Sequence, residues 1–220
     1  MNTIIHYLPL LLQGALVTLE MALIGWTLGT AFGLLIAFIA RLASSAQVLV
    51  RFLGYALSAT PFLVTLVWLH YPLQSILQIN FPPFWTATAA LVLYNSIAVA
   101  QVVDGALKRF PEVLNSTAIS CGLPARQIRN HILMPLIARA LLPSLLAQQV
   151  QVLHLTMFTS LISVDELFRE IQRVITREFE PVLFYTLLAA FYAFLSLPLI
   201  AGSRFLETRW ARELSGANRD

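Results

Sequence analysis

Charge is what this sequence is short of. Of its 220 residues, 11% are Asp, Glu, Lys or Arg and 58% are hydrophobic, against about 25% charged in a typical soluble domain. With a mean hydropathy of +0.76, that balance excludes an ordinary soluble domain and predicts a membrane protein. The net charge of +3 does not restore a nucleic-acid reading, because the basic residues sit at the ends of apolar runs and not in a stripe interleaved with aromatics. A single cysteine, Cys121, excludes an internal disulfide and fits a reducing compartment. A single lysine, Lys108, follows Leu107, so the phosphate-cradling loop G-x-x-x-x-G-K-[ST] is missing. If nucleotide drives this protein, another subunit must hydrolyse it. His6, His70, His131 and His154 have no metal-ligand spacing, and no Ser/His/Asp, Cys/His or paired-carboxylate constellation stands out. The chain is therefore read as a non-enzyme that binds no cofactor and no metal itself.

What the sequence has is apolar length. Residues 8–40 carry one charge, Glu20; residues 52–107 carry one, Asp104, and are split by Asn80-Phe81-Pro82-Pro83; residues 132–164 carry Arg139 near their start; residues 181–203 carry none. A span needs about 20 apolar residues, which predicts an all-α polytopic bundle, one membrane domain over 1–220. Its five spans fall near 12–40, 52–77, 84–107, 136–160 and 181–203, with a polar loop over 108–135 on one side and another over 161–180 opposite. The first run is long enough to begin as an interfacial segment. It lacks a basic leading region and a small-residue cleavage site, so it reads as retained.

With five spans, Arg41, Arg51, Lys108, Arg109, Arg126, Arg129, Arg139, Arg204, Arg209, Arg212 and Arg219 share one side, and Arg169, Arg173 and Arg177 lie on the other. The richer side is expected in the cytoplasm, which puts the amino terminus outside and the carboxyl terminus inside. The outer stretch 165–180 holds five acids against three arginines, a net of −2.

Gly25, Gly29 and Gly33 recur every fourth residue, which lines them on one helical face for close backbone approach, within the chain or in a homodimer or heterodimer contact. Asn95, Ser96 and Gln101 in the third span, and Gln148, Gln149, Gln151 and His154 in the fourth, are polar groups at membrane depth. Such groups pair across helices or line an aqueous path, and both readings stand for His154. Glu20, with Thr18 close by, faces protein, a water-filled cavity, or solvent near the outer end.

The polar insertion 116–143, STAISCGLPARQIRNHILMPLIARALLP, has more detail than a mere connector needs. Ser116, Thr117 and Ala118 precede Gly122 and Leu123, and Ile132-Leu133-Met134-Pro135 follow. This resembles the E-A-A-x-x-x-G and spaced I-x-L-P loop of permease subunits of bacterial ATP-binding-cassette importers. Residues 12–20 (LQGALVTLE), Thr60-Pro61-Phe62-Leu63-Val64 and residues 162–167 (ISVDEL) are similar to blocks of the polar amino acid branch of that family. Phe179-Glu180-Pro181 and Leu206-Glu207-Thr208-Arg209 fit its pattern too.

The resemblance implies the type I importer transmembrane fold in the bacterial inner membrane, moving amino acids or related small polar solutes. It implies a cytoplasmic ATPase dimer carrying ATP and Mg, a second permease subunit, an external solute-binding protein and surrounding lipid, with no nucleic acid. Coupling to the ATPase falls to Ser116, Thr117, Ala118, Gly122, Leu123 and Pro135. The substrate pathway falls to Thr60, Asn95, Gln101, Gln151 and His154, and the binding-protein contact to Asp165 and Glu166. Where the family usually has glutamate, glutamine, Arg-Gly, glutamate then arginine, and lysine, this chain has Ser116, Leu114, Ser58-Ala59, Gln101 with Asp104, and His154. Exchanges in both loop and pathway favour a heterodimer whose partner keeps the usual residues, a homodimer with an altered solute being the other reading. A regulatory subunit that binds without transporting, and a secondary transporter or channel, are the rival classes. The latter often shows an inverted repeat, and none is visible here.

Overall fold

The computed structural model describes residues 2–41, 44–108, 124–128 and 134–216, and these are almost wholly helical. Helix α1 (Asn2–Ala40) is a long apolar rod. Helices α2 (Ser44–Ala59), α3 (Phe62–His70) and α4 (Pro72–Leu77) make a broken second passage, and α5 (Pro83–Lys108) is the third. A helical turn at Ala125–Gln127 precedes α6 (Met134–Leu155), which tightens into a 3-10 helix over Thr156–Ile162. Helix α7 (Leu167–Glu178) lies in the following connection, and α8 (Pro181–Gly216) closes the chain. Four helical stretches, Thr3–Ala40, Pro83–Lys108, Met134–Ile162 and Pro181–Trp210, are long and apolar enough to cross a membrane, and the bent pair Gln47–Leu57 with Phe62–Leu77 makes a fifth when counted as one span.

That fifth passage departs from the straight span expected near 52–77: its halves meet at 98°. Pro61 has no N–H to continue the ladder and sits at φ −56°, ψ 135°, an extended conformation that ends α2. The Ala56 carbonyl accepts twice from Thr60, from its N–H at 3.1 Å and its hydroxyl at 2.9 Å, which closes the last turn of α2 ahead of the break. Beyond α4, buried Gln74 pins the turn by accepting from Phe81 N–H at 2.8 Å and donating to the Thr86 hydroxyl at 2.9 Å.

In lipid, apolar residues gain nothing by leaving the hydrocarbon, so helices are held by close packing and interhelical hydrogen bonds. Here the most extensive contact is between α1 and α5. A Cβ built on Gly33 falls 2.6 Å from the Ser96 carbonyl oxygen and 2.6 Å from Val99 Cβ; one on Gly29 falls 2.7 Å from Asn95 Cβ; one on Gly25 falls 3.2 Å from Val152 Cγ1. The glycine face of α1 is thus used inside the chain, against α5 and α6. The other faces of the bundle carry exposed Phe38, Phe194 and Phe205, as lipid-facing or partner-facing surfaces do.

The end of α6 tightens for a local reason. Thr156, Thr159 and Ser160 each donate their hydroxyl to the carbonyl three residues earlier, at 2.7, 2.7 and 2.8 Å, and side-chain bonding of that kind competes with the α-helical ladder. Ser163, at φ 72°, stops the 3-10 turn.

Helix α7 is a finding that the reading of 161–180 as a loop did not contain. Its apolar residues Leu167, Ile171 and Val174 are buried against a core shared with Leu11, Phe184 and Leu188 of α1 and α8, spaced i, i+4, i+7 along one face. Its polar face carries Arg169, Arg173 and Arg177.

Candidate functional site

A cavity of about 390 Å³ opens between α2, α5 and α6. Tyr94, Ile97, Ala98, Gln101, Val102 and Gly105 line it from α5, and Ala140, Ser144 and Gln148 from α6; these follow the i, i+3/i+4, i+7 spacing of one helical face. Gly54 and Leu57 of α2 complete the wall. Gly54 is where the Gln101 side chain lies, its Nε2 2.1 Å from where a Cβ would stand. Among the described residues, no side chain that lines the cavity carries a formal charge. Its polar groups are two amides and two hydroxyls, and the buried Gln148 Nε2 has no hydrogen-bond partner. A buried donor without a partner costs about 1–3 kcal/mol, a deficit that a polar solute entering the cavity would remove.

The structure distributes the expected pathway residues unevenly. Gln101 lines the cavity. Asn95 does not: it is fully buried and zips three helices together, Nδ2 donating to the Gly25 carbonyl at 2.9 Å and to Gln149 Oε1 at 3.1 Å. Gln149 Nε2 in turn reaches the Thr30 hydroxyl at 3.3 Å, and Trp26 Nε1 donates to the Gln149 carbonyl at 2.9 Å. His154 faces α8, with Nε2 3.1 Å from Ser196 Oγ and its ring edge-on to Tyr192. Gln151 is exposed on the bundle's outside, and Thr60 is spent on the break at Pro61. Tyr94, Ser144 and Gln148 were not expected together; the 140, 144, 148 spacing on α6, opposite Gln101, was the available signal.

At the other end of α6, the two neighbouring acids part company. Asp165 is exposed and pairs with Arg169 at 3.0 Å and Arg173 at 2.7 Å. Glu166 is fully buried: it caps α7, Oε2 accepting from Phe168 N–H and Oε1 from Arg169 N–H, both at 2.9 Å. Capping of this kind offsets the unsatisfied first-turn donors. Thr18 of α1 joins it, its hydroxyl accepting from Leu167 N–H at 3.1 Å and lying 3.4 Å from Glu166 Oε2. Burial pushes Glu166 up to about 7, against the pull of the two backbone donors. The Glu166 carboxylate is thus turned inward, whereas Asp165 of the pair presents its own at the surface. Glu20 of α1 is exposed.

Of the coupling residues, Pro135 is exposed in the first turn of α6, where a missing N–H is tolerated. Ser116, Thr117, Ala118, Gly122 and Leu123 lie outside the described residues. Among the described residues no group of three or more His, Cys, Asp or Glu is placed to hold a metal.

An all-helical bundle with a neutral polar cavity and a broken second passage is the framework of a membrane transport component. A family model described as "Binding-protein-dependent transport system inner membrane component" matches residues 29–212, and the chain belongs to that family. It is 25% identical over 205 residues to the glutamine transport system permease protein GlnP of Escherichia coli K12, covering 92% of this chain and 93% of that one. It is 26% identical over 212 residues to the arginine ABC transporter permease protein ArtQ of Haemophilus influenzae, covering 94% and 96%. A chain from the crystal structure of an amino acid ABC transporter with histidines shares the fold at a TM-score of 0.84 and 21% identity, over 94% of this chain and 97% of that one. A chain of the MetNI methionine ABC transporter in an inward-facing conformation shares it at 0.67 and 17%, over 91% and 97%.

Proposed function

We propose that this chain is the translocation subunit of an ATP-driven importer of amino acids, and that the solute crosses through the cavity between α2, α5 and α6. The observation that carries the reading is that cavity: a wall without a charged side chain among the described residues, with Gln101, Gln148, Ser144 and Tyr94 as its polar groups, closed on one side by the first half of the broken passage, in a member of the binding-protein-dependent transport family. Amides donate to a carboxylate and accept from an ammonium or a second amide, so a neutral zwitterion or a side-chain amide is served and a cationic side chain finds no counter-charge. The relatives named for glutamine and arginine bracket that choice, and the wall favours the former.

ATP and Mg belong to a cytoplasmic ATPase dimer, since this chain has no phosphate loop; the ATPase presses on the 108–135 loop through Ser116, Thr117, Ala118, Gly122, Leu123 and Pro135. A second permease subunit, a heterodimeric partner, completes the pathway, and an external binding protein meets the side carrying Asp165 and α7. The subunit sits in the inner membrane with its amino terminus outside and its carboxyl terminus in the cytoplasm. Closure of the ATPase on ATP moves the loop as a lever and reorients the spans about the cavity.

The test is purification of the tagged complex in mild detergent, mass spectrometry of its subunits, and uptake of labelled glutamine, arginine and glutamate in proteoliposomes with the recovered binding protein. ATP-dependent glutamine uptake, lowered about tenfold by Gln148→Leu with the complex intact, is the expected result; one lost hydrogen bond of about 1.4 kcal/mol corresponds to that factor. Uptake that needs no ATP, or that is indifferent to Gln148→Leu and Gln101→Leu together, would sink the reading. Gly122→Asp is expected to stop uptake without affecting membrane insertion, and normal uptake by that variant would remove the docking assignment.

A further inference from the structure

A second cavity, of about 290 Å³, lies where the end of α1 meets α2 and α5. Among the described residues three cations line it, Arg41, Arg51 and Lys108, against one acid, Asp104, a formal balance of +2. Asp104 is already engaged: Lys108 Nζ bonds its Oδ2, and Arg51 Nε lies 3.6 Å from the same oxygen. At that distance Arg51 Nε makes no hydrogen bond, and it is buried without a hydrogen-bond partner. The carboxyl end of α1 adds roughly −0.5 of partial charge nearby, which leaves the balance above +1. A cavity this positive, at the arginine-rich ends of membrane helices, calls for an anion.

We infer that this cavity binds the phosphate of an anionic phospholipid headgroup, a site separate from the translocation cavity. Phosphate is the shared chemistry of a lipid headgroup and of soluble phosphate, and the surroundings distinguish them. The cavity wall is apolar as well as basic, through Ala37, Val50 and Val103, and the residues next in sequence to its lining, Phe38 and Phe52, are 62% and 65% exposed. Acyl chains use such surface; a free anion has no need of it. Basic pockets between membrane helices recognise acidic headgroups by this combination of charge and apolar rim. Gln101 lines both cavities, so a bound headgroup would sit one side chain away from the pathway and brace the α2–α5 contact behind it.

The experiment uses the purified complex, stripped of lipid in mild detergent and titrated separately with phosphatidylglycerol micelles, phosphatidylcholine micelles, inorganic phosphate and glutamine, reading the thermal midpoint and, by native mass spectrometry, the lipid retained. Phosphatidylglycerol is expected to raise the midpoint saturably, with phosphatidylcholine and phosphate inert. Arg41→Gln should weaken the apparent lipid affinity about fivefold, as removal of one basic side chain near anionic lipid does, and Arg41→Lys should restore it. Asp104→Asn removes the one acid among the described lining residues and should tighten binding about fivefold, a direction that misfolding cannot mimic. Equal responses to the two lipids, a response to phosphate alone, or an Asp104→Asn complex that binds no tighter would each overturn the inference, whereas a glutamine response that persists in Arg41→Gln belongs to the translocation cavity.

Discussion

Replacing Gly33 by alanine tests how closely α1 and α5 approach along their seam. The new methyl would stand 2.6 Å from the Ser96 carbonyl oxygen, 2.6 Å from Val99 Cβ and 2.8 Å from its Cγ1. A backbone carbonyl cannot swing aside, so α1 itself has to lift by roughly 1 Å, and overpacking of this kind costs about 1–3 kcal/mol. Alanine returns up to about 1 kcal/mol of helix propensity, leaving a net loss of about 0–2 kcal/mol and a deficit of about 1–3 kcal/mol against an alanine placed where nothing obstructs it. Gly29→Ala meets Asn95 Cβ and Nδ2 at 2.7 Å; that side chain could turn, at the expense of its bonds to Gly25 and Gln149, so a similar loss is expected. Gly25→Ala, 3.2 Å from a Val152 methyl, should be near neutral. Gly105→Ala meets nothing within 4 Å and should be neutral or stabilising. Thermal midpoints of the purified complex, with about 2–4 °C per kcal/mol for a chain of this size, separate these outcomes. A Gly33→Ala midpoint equal to that of Gly105→Ala would refute the close seam.

Other expectations rest on individual side chains. Burial pushes Glu166 up to about 7, above the ordinary carboxylate range, so the folded state binds the proton more tightly than the unfolded one and the associated stability, about 3 kcal/mol, is present at pH 4 and lost as pH rises through about 7. Thr18 of α1, Glu170 on its own helix and Tyr192 of α8 are the polar groups that face it. A pH series of hydrogen exchange over α7 should show protection falling across that window in the native chain but not in Glu166→Gln; a flat native profile would refute the buried-acid assignment. Asn95→Ala, losing two interhelical bonds, should lower thermal stability by about 1 kcal/mol while glutamine affinity is retained. His154→Ala should likewise leave uptake intact and loosen α6 from α8, which cross-linking across that pair would report; a selective loss of uptake would return His154 to the pathway.

What was readable from the sequence was what depends on composition along the chain. Apolar length located the spans because a hydrocarbon layer constrains a helix through its length and charge alone. The seam glycines were readable because a four-residue repeat has one geometric meaning. The bend at Pro61 had its cause in view, yet a proline in a span is compatible with a kink or a full break, and the 98° turn is settled by where α3 packs, with Phe62 and Leu66 buried beside α5. Helix α7 was hidden in a charged connection, although Leu167, Ile171 and Val174 carried its period, because its apolar face has meaning only once α1 and α8 are there to cover it.

The site shows the division most clearly. By itself the sequence determined that α6 carries Gln148, Gln149, Gln151 and His154 at membrane depth, and that they are too costly to leave idle. Tertiary structure alone decided their fates: Gln148 to the cavity, Gln149 to Asn95 and Thr30, Gln151 to the outside, His154 to Ser196. Successive residues of a helix point about 100° apart, so neighbours in sequence look at different helices. Composition cannot report that rotation; only the packing of α6 against α1, α5 and α8 sets it.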